Sequence, residues 1–96
     1  MVMVEVVRVQ TGVRLEAGVL KVLKALAAYT ELGLGDLIEG ICLHAFEGKT
    51  PFSPATLQQI EKLRQVYGLR LTAADSHRLT ERPMTPGHRP RRPGRK

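Results

Sequence analysis

Several classes of protein are excluded by what this 96-residue chain has little of: one cysteine, no tryptophan and aromatics at 4%. Cys42, being alone, allows no internal disulfide and too few thiolates for a zinc site. It suits a reducing compartment, and a cytoplasmic location is the expectation, in or near a prokaryotic nucleoid if the chain binds DNA. With so few aromatics the core must be aliphatic. No apolar run approaches the ~20 residues that a membrane-spanning helix needs, so no membrane partner is expected. The opening Met-Val-Met-Val-Glu lacks the basic start of a signal peptide, and none is expected.

Acidic residues are missing from one stretch only. Residues 82–96 hold six of the fifteen basic residues and no acid. The nine basic residues of 1–81 match the nine acidic ones there, so the net charge of +6 sits in the C-terminal tail. Four prolines and two glycines in that tail, with almost nothing apolar, predict disorder. The overall basicity therefore says little about the fold itself, and local patterning must carry any argument for nucleic-acid binding.

That patterning is clearest in residues 7–15. Val7, Val9, Thr11, Val13 and Leu15 fall on one side of an alternating pattern, and Arg8, Gln10, Gly12 and Arg14 on the other. Period-2 alternation predicts a half-buried strand. Arg and Gln are the side chains best suited to reading base edges. Taken alone, the pattern fits an edge strand with a solvated polar face better than a reading surface.

Helical spacing follows. Val19, Leu20, Val22, Leu23, Leu26 and Ala27 predict a helix from Glu16–Ala17 to about Thr30, with only Glu16 to cap it and Gly18 weakening its first turn. Gly33 marks the break, in a left-handed or capping role. A second helix is expected from about Leu34 to Glu47, with Asp36 near its N-terminus. It is apolar around so much of its circumference that a second copy of the chain is the expected cover. Ser53-Pro54 and Gly68 bracket a third helix striped with Leu57, Ile60, Leu63, Val66 and Tyr67. Leu69-Arg70-Leu71 reads as a short extended piece, and Thr72 as the cap of a last turn through Asp75.

Strand, helix, short turn and helix in about 45 residues resemble the ribbon-helix-helix DNA-binding domain of the Arc and methionine repressors and of many copy-control and antitoxin proteins. The segments that carry the likeness are residues 9–15, 19–27 and 33–38. The resemblance implies a mostly α fold with one N-terminal strand, paired across a dimer into a two-stranded antiparallel ribbon, plus an extra C-terminal helix. It implies that Gln10, Gly12 and Arg14 face the major groove with Arg8 flanking. It also implies that the backbone N–H groups of Gly33, Leu34 and Gly35 meet a phosphate. This sequence departs from the family in having Gly33 where a Ser or Thr usually caps, and Gly12 where a reading side chain would stand. Lys21 on the first helix is a further candidate phosphate contact; for Lys24 a solvated face is the better reading.

The organisation expected is thus a dimerisation and DNA-binding domain at 1–48, a helical extension at 49–81 and a basic tail at 82–96. The function expected is sequence-specific binding of double-stranded DNA by a homodimer acting as a transcriptional regulator or repressor. Two alternatives stand beside it. One is an antitoxin-like or adaptor protein that binds a protein partner through 49–81, although the regular third helix favours packing on the core. The other is non-specific binding through Arg89, Arg91, Arg92, Arg95 and Lys96, which serve equally as a solubilising tail. No enzyme, cofactor or metal site is expected. His44 and Cys42 lack metal-pair spacing, Asp75-Ser76-His77 cannot form a triad on one short turn, and Gly33-Leu-Gly-Asp is too short to cradle phosphate.

Overall fold

The computed structural model describes residues 3–82. Three helices follow one another: α1 over Ala17–Thr30, α2 over Leu34–Phe46 and α3 over Pro54–Tyr67, with a 3-10 turn at Ala73–Asp75. Each begins where local chemistry places it. The Glu16 carboxylate accepts from the Val19 N–H at 2.8 Å, so a residue outside the usual capping set starts α1. Ser53 caps α3 through the Thr56 N–H, with Pro54 at the first helical position. Thr72 and Asp75 form a reciprocal capping box around the 3-10 turn.

The N-terminal strand, and with it the two-stranded ribbon, is absent: among the described residues there is no strand, and residues 3–15 are neither helical nor paired. Alternation selects side-chain placement, but a strand exists only where a second backbone supplies the ladder of hydrogen bonds. No other described segment does so. Met3, Val4, Val6, Val7, Val9 and Val13 consequently stay exposed, Val7 at 92%.

The core is small and aliphatic. Leu26, Ala27 and Leu37 form its buried centre, and Leu23, Ile41, Phe52, Ile60 and Leu63 pack around them. The third helix therefore lies against the core, with its main contact on α1. Phe52, in the connection before α3, joins the same cluster. In contrast, α2 buries only Leu37, and its Leu43 and Phe46 stand open to solvent at 64% and 81%.

One turn is closed by a residue that its sequence does not announce. The first helix ends at Glu31, which takes the left-handed conformation at φ 60°, while Gly33 is extended and caps α2. Glu31 and Leu32 donate to Ala28 O and Ala27 O, closing the same double-bonded end that Gly68 closes on α3 without strain. A left-handed non-glycine residue costs ~1–2 kcal/mol and a glycine loses ~0.5–1 kcal/mol in chain entropy. Glu31→Gly is thus expected to stabilise the fold by up to about 1 kcal/mol. An unchanged or lower denaturant midpoint for that variant would contradict the assignment of this turn. Gly18 also has a use: a Cβ there would lie 3.1 Å from the capping Glu16 carboxylate and 3.3 Å from the tip of Leu69, so glycine leaves room for both side chains.

Candidate nucleic-acid interface

Every residue of the candidate reading segment from 3 to 15 is exposed. Gln10 and Gly12 are open, and a Cβ built on Gly12 meets nothing within 4 Å. No contact in the structure requires glycine there.

Both arginines of the segment are engaged elsewhere in the chain. Arg8 donates from Nε to Glu39 Oε2 at 2.9 Å, and from Nη2 to Glu39 Oε1 at 2.7 Å and Asp36 Oδ1 at 3.0 Å. The hydrogen bond from Arg8 holds the Glu39 carboxyl below its ordinary range, and Glu39 in turn binds the guanidinium proton more firmly. Arg14 pairs through Nη2 with Glu81, near the point where the basic tail begins. These partners lie 28, 31 and 67 residues away along the chain. No local spacing announces them, and the sequence reading placed none of the three acids in the interface.

The helix-terminus candidates are brought next to the same cluster. Gly33 caps α2 without a side-chain bond, leaving the first-turn N–H groups of Leu34 and Gly35 without a capping oxygen from Gly33. Such an end attracts anions. Asp36 in that first turn and Glu39 one turn on already supply two carboxylates against the single charge of Arg8. As it stands, this end of α2 is net negative and does not invite phosphate.

Lys21 lies apart from these groups. It lines an open groove of about 510 Å³ with Tyr67, Arg70, Leu71 and Leu79, formed where the chain after α3 returns beside α1. Arg70 was not singled out from sequence; it comes beside Lys21 only because α3 packs back on α1. Arg89, Arg91, Arg92, Arg95 and Lys96 lie outside the described residues.

His44 Nδ1 and the Gly40 carbonyl are 2.7 Å apart, a hydrogen bond with the ring nitrogen as donor, and Cys42 is a half-buried free thiol. Among the described residues no group of three or more metal-ligating side chains converges. No described helix is long and apolar enough to cross a membrane. The chain matches no family model, no curated protein and no solved structure.

Proposed function

We propose that the chain binds double-stranded DNA as a homodimer and acts in transcriptional regulation. The observation that carries this reading is the unbroken exposed segment 3–15, which joins uncovered valines to Arg8, Gln10 and Arg14. Arginine contacts guanine O6/N7 bidentately and glutamine contacts adenine N6/N7, so an accessible segment with both is suited to base edges. Gln10 and Arg14 are the base contacts in this reading, and Lys21 touches flanking phosphate.

The uncovered apolar surface supports the homodimer. Four hydrophobic residues are buried in the whole described chain, whereas Val7, Val9, Val13, Leu43 and Phe46 are exposed. A stable interface removes about 800 Å² per partner from water, and these side chains are of the kind that supply it. A second copy brings the same uncovered residues to the contact, as a two-fold interface requires.

Selection of bound sequences from random duplex DNA, with sedimentation of the unliganded protein, tests both parts. A two-fold symmetric motif and a dimeric mass are the expected results. Arg14→Ala should relax preference at one position of each half-site, by about 1–3 kcal/mol per contact. A monomer that enriches no sequence would defeat the proposal. The exposed apolar residues also suit a protein partner of the antitoxin or adaptor kind; a stable complex with such a partner and no selected DNA would establish that reading instead.

A further inference from the structure

We infer that Asp36 and Glu39 act as a built-in competitor for Arg8, so that nucleic acid engages Arg8 only by displacing them. This rests on the DNA-binding reading and concerns how the same surface is regulated. A guanidinium has five N–H donors in a rigid planar fork. Three are committed here: Nε–H and one Nη2–H to Glu39, and the second Nη2–H to Asp36. Both edges that can grip an acceptor pair in bidentate fashion include Nη2. With Nη2 fully used, Arg8 has no fork left for a phosphate or a guanine. The two carboxylates also outnumber the guanidinium charge, so the closed cluster repels an approaching phosphate.

The clamp is nonetheless displaceable. Arg8, Asp36 and Glu39 side chains remain 60%, 54% and 47% exposed, and exposed ion pairs are weakened by salt and water. A polyanion that offers Arg8 several phosphates therefore competes on favourable terms. The clamp ties residue 8 to α2, so its opening leaves the Arg14–Glu81 pair as the remaining ion-pair tether of the N-terminal segment.

The test uses the full chain and a fluorescein-labelled duplex of random sequence at fixed low salt, read by fluorescence anisotropy. Glu39→Gln is expected to tighten binding roughly two- to fivefold, the range over which an exposed pair competes. The gain should vanish when the same change is made in an Arg8→Gln background. Binding that is unchanged by Glu39→Gln, or tightened equally in both backgrounds, overturns the competitor role while leaving DNA binding intact. If the wild-type chain binds no duplex, the proposed function falls and the competitor role with it. The clamp is read separately by the Arg8 Nε–H resonance, which should be slow to exchange in the wild type and fast in Glu39→Gln. Fast exchange in the wild type removes the basis of the inference.

Discussion

Leu26→Ala is expected to leave the chain without a stable fold. Leu26 is the most buried residue of the described chain, at 2% exposure, and stands at the centre of the cluster joining α1, α2 and α3. Truncating a leucine in such a site costs about 2–5 kcal/mol, from lost transfer free energy and the cavity left behind. A core this small rarely supplies more than about 3–5 kcal/mol of net stability, so the loss is comparable to the whole. Neighbours cannot easily close the gap, because Leu23, Ile41, Ile60 and Leu63 come from three different helices and are already committed to the same contact. Thermal unfolding followed by circular dichroism gives the check. The wild type should melt cooperatively, Leu26→Met should stay close to it, and Leu26→Ala should lose the transition. A Leu26→Ala midpoint within a few degrees of the wild type would show that stability resides elsewhere, for instance in self-association.

The helices were legible because their signals are local. Ser53, Pro54 and Gly68 mark α3 within a few residues of each end, and the 3.6-residue apolar spacing of α1 needs no knowledge of its neighbours. The packing of α3 on the core also followed from its regular stripe. What was not legible depends on distant backbone or distant charge. Residues 7–15 carry a strand's alternation, yet whether alternation becomes a strand is decided by a partner backbone, which no other described segment provides. The turn after α1 stands where Gly33 marks it, with Gly33 capping α2, but the left-handed residue that closes α1 is Glu31, which no local signal singles out because glycine usually takes that conformation. Arg8 and Arg14 are visible in the sequence as the positive charges of the segment. Their neutralisation was invisible, because Asp36, Glu39 and Glu81 reach them only through the tertiary arrangement.

That neutralisation makes the tail the dominant cationic element, and ending the chain at Glu81 is expected to have the largest effect on binding. Residues 1–81 are formally neutral, and Arg8 and Arg14, the basic residues of the candidate reading segment, already face acids. Residues 82–96 carry six cations without a single carboxylate. Each phosphate neutralised on duplex DNA contributes about −0.9 to the slope of log affinity against log salt. Six contacts then give a slope near −5 and roughly a thousandfold loss of affinity between 50 and 200 mM salt. A chain lacking 82–96 should lose most of that slope and bind about a hundred- to a thousandfold more weakly at the low-salt end. Its helical circular dichroism should persist, since every residue of the core cluster lies between Leu23 and Leu63. Sequence preference should also survive the truncation, because phosphate contacts set affinity while base contacts set specificity. An unchanged salt slope in the truncated protein would place the electrostatic contact in the helical body instead. In that case Lys21 and Arg70, which share the groove beside α1, become the residues to replace.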